Sequence, residues 1–90
     1  MIEIKNGNKY LVTGGSGFLG RELIRRILNQ GGEVITLSRN EGQLIKLKQK
    51  FPSIQIETGD ISNKHSVHRV VKGVTGIFHL AAFKHVGMAE

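Results

Sequence analysis

The sequence predicts an α/β chain built on a doubly wound parallel sheet, and three observations carry that expectation. Short β-rich apolar runs alternate with amphipathic stretches in the order strand, helix, strand, helix, strand, helix, strand. A glycine-rich segment, Thr13-Gly14-Gly15-Ser16-Gly17-Phe18-Leu19-Gly20, is lodged between the first strand and the first helix. Strands joined through helices run parallel with right-handed crossovers, so the helices must cover both faces of the sheet. The expected order of the first four strands is 3-2-1-4. Its switch point falls between strands 1 and 4, where the glycine loop and the Ala81-Ala82 segment both end.

Each element has a local reason. Lys9-Tyr10-Leu11-Val12-Thr13 is a β-rich run that stops at glycine, the first strand. From Phe18 to Asn29, Leu19, Leu23, Ile24, Ile27 and Leu28 recur at helical spacing, and Gly31-Gly32 supplies a stop signal just beyond. Glu33 to Ser38, with Val34, Ile35 and Leu37 inside it, reads as the second strand. The second helix runs from Glu41 to Phe51 with Leu44, Leu47 and Phe51 on one face, and Pro52 ends it. Lys46, Lys48 and Lys50 form its wet side. Ile54 and Ile56 mark a third strand to about Thr58, and a third helix from Lys64 to Lys72 presents Val67, Val70 and Val71. Gly76 opens the last strand, Ile77 to Ala81, which would be an exposed edge.

Composition narrows the function classes. The chain has 90 residues, 39% hydrophobic and 22% charged, which suits one small folded domain. It contains no cysteine, hence no disulfide framework and no thiolate metal site. No apolar stretch approaches the roughly 20 residues that span a bilayer, and the start lacks the layout of a signal peptide. A cytoplasmic location is expected. The net charge of +6 raises the question of nucleic acid, but the basic residues are scattered and no aromatic platform accompanies them. A solvated surface and an anionic cofactor account for the charge instead, and no nucleic-acid partner is expected.

The glycine loop carries the strongest chemical signal. Gly14 permits a tight turn, Gly17 lets backbone approach a pyrophosphate, and Gly20 lets the helix pack closely on the strand. The free amides and the positive end of the helix dipole then face the phosphates. A glycine turn without a ligand is the plain alternative, and the strand before and helix after favour a dinucleotide. About 20 residues on, an acidic residue usually grips the ribose of NAD. Here the strand ends Leu37-Ser38-Arg39-Asn40, and the Arg39 fork could pair with a 2′-phosphate or stand as an exposed loop cation. NADP is therefore expected, with NAD as the alternative.

Asp60-Ile61 would place a small acceptor and an apolar side chain beside an adenine, and Asp60 could equally cap the third helix or the turn before it. Leu80-Ala81-Ala82 would leave backbone close to the nicotinamide-side ribose, or serve ordinary sheet packing. His65 and His68 are three apart on a polar helix, but no third metal ligand is evident, so no metal is expected. His79 reads as a packed core histidine.

These residues resemble a family. The glycine loop, Asp60-Ile61 and His79-Leu80-Ala81-Ala82 are similar to the extended short-chain dehydrogenase/reductases, which have a Rossmann fold. Ala81-Ala82-Phe83-Lys84-His85-Val86 with Ala89-Glu90 resembles the polysaccharide-biosynthesis branch, which includes UDP-N-acetylglucosamine 4,6-dehydratases and 5-epimerases. Gly87 departs from the proline often found there. The resemblance implies that Ser16, Gly17, Phe18 and Leu19 meet the pyrophosphate. It places Ser38, Arg39, Asn40, Glu41 and Gln43 around the adenosine phosphate, Asp60 and Ile61 at the adenine, and Leu80 near a ribose. It implies that Lys84 contacts both cofactor and a nucleotide-sugar substrate.

The family's Tyr-x-x-x-Lys pair and the branch's Asp-Lys pair lie beyond the fourth strand. The single tyrosine, Tyr10, precedes the glycine loop and has no lysine four residues later, so this chain holds no catalytic residue of that kind and should be inert. It is expected to be the N-terminal part of an NAD(P)-binding domain whose catalytic and substrate portions lie elsewhere. The resemblance implies, for the full-length protein, hydride removal from C4 of the sugar, loss of water across C5 and C6 and return of hydride to C6. That protein is expected to be a homo-oligomer. Two alternatives stand beside this: another extended reductase or epimerase acting on a sugar nucleotide, and a non-catalytic module that senses NADP.

Overall fold

The computed structural model describes residues 4–14 and 17–80. Seven elements alternate as β1 (Lys9–Thr13), α1 (Phe18–Asn29), β2 (Glu33–Ser38), α2 (Glu41–Lys50), β3 (Gln55–Thr58), α3 (Lys64–Val71) and β4 (Val74–His79). All strand pairs are parallel and the sheet order is β3-β2-β1-β4, as the alternation predicts. Central β1 is an unbroken apolar run rather than an alternating one because it is covered on both sides, and Tyr10 through Thr13 are all buried.

Two cores flank the sheet. On one face Tyr10, Val12 and Val34 pack with Ile24 and Ile27 of α1 and with Leu47 of α2. On the other, Leu11, Ile35 and Leu37 meet Val70 of α3. Helices on both faces make the arrangement doubly wound, the Rossmann architecture. Tyr10 is a core residue, its ring centroid 6.0 Å from that of Phe78 and its hydroxyl accepting the Lys5 N–H at 3.2 Å.

The helix ends follow local chemistry. After α1, the Gly32 N–H donates to the Ile27 carbonyl at 2.9 Å and the Gly31 N–H to the Leu28 carbonyl at 3.0 Å. This Schellman closure needs a left-handed residue, and Gly31 supplies it at φ +86°. At the other ends, Asn40 Oδ1 accepts the Gln43 N–H of α2 at 3.0 Å, and Asn63 Oδ1 accepts the His65 and Ser66 N–H groups of α3. Helix α1 starts differently, on Gly17, with no side-chain cap among the described residues and no acidic residue in its first turn.

Several boundaries differ from expectation. Strand β4 begins at Val74, two residues early, because Val74 pairs with Lys9 and an irregularity at Thr75 restores the register Tyr10↔Gly76. It ends at His79; the Leu80 N–H donates to the Thr13 carbonyl at 3.1 Å, and Ala81 lies outside the described residues. Helix α2 stops at Lys50, and Phe51 is its C-cap, though still packed on the core. Helix α3 stops at Val71.

Two side chains depart from their expected places. His79 is exposed rather than a core histidine, since α3 covers β1 and β2 and leaves that face of β4 open. Leu19 is 52% exposed instead of facing the core, because it belongs to the first turn of α1, beyond the sheet's edge. Among the described residues no helix is long and apolar enough to cross a membrane.

Candidate functional site

The carboxyl ends of all four strands open on one groove of about 630 Å³. Thr13 and Gly14 come from the end of β1, Ser38 and Arg39 from β2, Gly59, Asp60 and Ile61 follow β3, and His79 and Leu80 close β4. The groove thus spans the sheet from the switch point to the outer strand, where doubly wound sheets bind ligands.

At the switch point the turn into α1 is built for an approach by backbone. Gly14 takes φ +74°, and the Gly17 N–H makes a long contact, 3.5 Å, with the Gly14 carbonyl. A Cβ on Gly17 would meet nothing nearer than the Gly14 oxygen at 4.0 Å. Among the described residues, packing therefore does not demand a bare backbone at Gly17. Among the described residues no side chain caps the start of α1, and such a start offers amides and a dipole to an anion. Phe18, 72% exposed, and Leu19 flank the opening with apolar surface.

The opposite end of the groove is a polar turn and an ion pair. Ser38 Oγ accepts the Asn40 N–H at 3.0 Å, so Ser38 and Asn40 hold the β2–α2 turn that presents Arg39. Parallel pairing of Ser38 with Thr58, and a 2.9 Å bond from the Gly59 N–H to the Ser38 carbonyl, bring the two strand ends side by side. Arg39 Nη1 then lies 3.8 Å from Asp60 Oδ2. Asp60 Oδ1 accepts the Ser62 N–H at 2.9 Å. The Ser62 backbone N–H and then its hydroxyl hold the Asp60 carboxyl below its ordinary value; Arg39 adds a smaller effect in the same direction, against a desolvation that raises it. Of the two structural roles open to Asp60, the structure shows the turn before α3, with Asn63 as the cap.

Twelve of the residues singled out in the sequence line this groove: Gly14, Gly17, Phe18, Leu19, Gly20, Ser38, Arg39, Asn40, Gln43, Asp60, Ile61 and Leu80. Glu41 does not; it sits exposed in the first turn of α2, where its charge suits the helix dipole. Ser16, Ala81, Ala82 and Lys84 lie outside the described residues.

Sequence reasoning gave no site role to Thr36 and did not pair Thr13 with His79. Thr13 Oγ1 and His79 Nδ1 are hydrogen bonded at 2.5 Å, a pairing that becomes visible only through the β1–β4 register. Thr36 is 1% exposed, and among the described residues its Oγ1, buried beneath the groove, has no hydrogen-bond partner. Its signal was a lone polar residue within the apolar run Val34–Leu37. Among the described residues no group of three or more histidine, aspartate or glutamate side chains could hold a metal.

A doubly wound sheet with a glycine-opened groove at its switch point defines a nucleotide-binding class of fold. The profile of the NAD dependent epimerase/dehydratase family matches residues 10–90, and the chain belongs to that family. Among its relatives, an uncharacterised membrane protein, MJ1061, of Methanocaldococcus jannaschii is 36% identical over 83 residues, 89% of this chain and 25% of the relative. A 3-beta-hydroxysteroid dehydrogenase of Mycolicibacterium neoaurum is 39% identical over 74 residues, 82% of this chain and 19% of the relative. A UDP-glucose 4-epimerase of Rickettsia bellii is 32% identical over 87 residues, 89% of this chain and 26% of the relative. The solved structure of Pen from Bacillus thuringiensis superposes with a TM-score of 0.82 at 28% identity, covering 93% of this chain and 28% of that one. The chain thus spans about a quarter of the length of the proteins it resembles.

Proposed function

We propose that this chain forms the NADP-binding portion of a nucleotide-sugar 4,6-dehydratase or epimerase of polysaccharide biosynthesis. The observation that carries the reading is one groove joining the start of α1, which no described side chain caps, to the Arg39–Asp60 end of the sheet. Its polar lining and its course across the strand ends suit a dinucleotide. The amides from Gly17 to Leu19 would take the pyrophosphate, together with Ser16. Arg39 would pair with a 2′-phosphate, with Ser38, Asn40, Glu41 and Gln43 around it, while Ile61 and Asp60 would border the adenine. Thr36 Oγ1, buried beneath the groove with no hydrogen-bond partner among the described residues, fits a site completed by a polar ligand or its water.

NADP supplies reversible hydride transfer when bound. The chain's part is to hold it in place, with Leu80, Ala81 and Ala82 leaving backbone beside the ribose and Lys84 reaching both cofactor and sugar. The sugar chemistry is argued from the Ala-Ala-Phe-Lys-His-Val run and from the relationship to a UDP-glucose 4-epimerase, with UDP-N-acetylglucosamine as the proposed substrate. A second reading, a reductase or epimerase with another substrate, is favoured by the likeness to a 3-beta-hydroxysteroid dehydrogenase.

Two measurements test this. NADP added to the isotope-labelled chain should move the amide signals of Gly14 and of Gly17 to Gly20; a folded sample in which neither NADP nor NAD moves them overturns the cofactor reading. The product of the complete reading frame, given UDP-N-acetylglucosamine and NADP, should yield a 4-keto-6-deoxy sugar nucleotide lighter by one water in mass spectrometry. Unchanged sugar mass with intact NADP binding favours the second reading.

A further inference from the structure

We infer that Asp60 sets the preference between NADP and NAD by competing with the 2′-phosphate for Arg39. This rests on the proposed cofactor reading and goes beyond it. Arg39 and Asp60 leave neighbouring strands at the same level of the sheet, fixed there by the Ser38↔Thr58 register and the Gly59–Ser38 hydrogen bond. Both line the groove, and their charged atoms are 3.8 Å apart. A guanidinium that meets a carboxylate has to leave or share it when a phosphate arrives.

The carboxylate also stays charged throughout the physiological range, since Ser62 and Arg39 favour its ionised form. It therefore acts twice against a 2′-phosphate, by holding the arginine and by repelling the incoming charge. Neither effect touches NAD, which carries a hydroxyl at that position. Whatever Asp60 contributes to the adenine is common to both cofactors and cancels in their ratio.

The magnitude is bounded by exposure. The Arg39 side chain is 80% exposed and that of Asp60 38%, so the pair is weak in water and screened by salt. Freeing Arg39 should raise the affinity ratio for NADP over NAD about two- to fivefold at low ionic strength. The competition keeps the preference modest and sensitive to salt.

Asp60→Asn is the informative variant, because the amide oxygen can still accept the Ser62 N–H and keep the turn. Dissociation constants for NADP and NAD are measured by calorimetric titration on the parent chain, Asp60→Asn, Arg39→Ala and the double variant. The expected result is a rise in the NADP-to-NAD affinity ratio on Asp60→Asn that is larger with Arg39 present than with alanine there, and that shrinks in high salt. An unchanged ratio, with both cofactors bound, overturns the inference and leaves the cofactor reading standing. An equal rise in both backgrounds also overturns it, since simple repulsion would then suffice. Failure of every variant and of the parent chain to bind either cofactor removes both.

Discussion

Asp60 shows how one residue carries a turn and a charge together. Its oxygen fastens the loop before α3 through Ser62, and its other edge faces Arg39. The Ser62 hydroxyl lowers the Asp60 pKa more than the arginine does. Ser62→Ala should therefore move the Asp60 titration, followed by carboxyl-carbon NMR, further upward than Arg39→Ala does. The reverse ranking would mean that the ion pair dominates. Because the folded-state pKa is depressed, the associated stabilisation is complete above the ordinary aspartate value and fades as pH falls through the folded one. With both partners well exposed its contribution is small, so acid sensitivity of the whole chain should change little in either variant.

Among the helices, α1 is the one whose start no described side chain caps. Asn40 and Asn63 close the starts of α2 and α3, and Gly31 closes the end of α1. Gly17 has φ −78° and ψ 173°, the extended geometry in which an aspartate caps a helix, and a Cβ there meets no close neighbour among the described residues. Gly17→Asp should therefore stabilise the chain slightly, by about 0.5 kcal/mol in urea denaturation. The same carboxylate would stand where a pyrophosphate is proposed, and NADP binding by titration should fall below detection. A variant that gains stability and still binds NADP with the parent affinity would separate the start of α1 from the cofactor.

Across the whole molecule, coverage of the sheet is uneven. Ile24 is completely buried between α1 and the sheet, whereas Ile77 is 56% exposed on β4. Ile24→Ala should cost about 2–5 kcal/mol by transfer and cavity terms, a large share of the stability of so small a chain. Ile77→Ala should cost under about 1 kcal/mol, in proportion to the little area it buries. Thermal or urea unfolding of the two variants checks the contrast, and equal losses would mean that the open face of β4 is covered in solution.

What the residues alone decided is the fold and the parts of the groove that depend on local chemistry. The strand–helix alternation gave the order β3-β2-β1-β4, because connections through helices leave few topologies, and the glycine loop located the start of α1, where Gly14 takes the left-handed conformation that favours glycine. Arg39 and Asp60 were legible individually from their places after strands. Their pairing was not, since it depends on the register Ser38↔Thr58 between segments 20 residues apart. The same holds for Thr13 with His79 and for the stranded hydroxyl of Thr36. Periodicity reports which face of an element is apolar, while side-chain meetings across strands follow from register, and register is settled only when the sheet is packed.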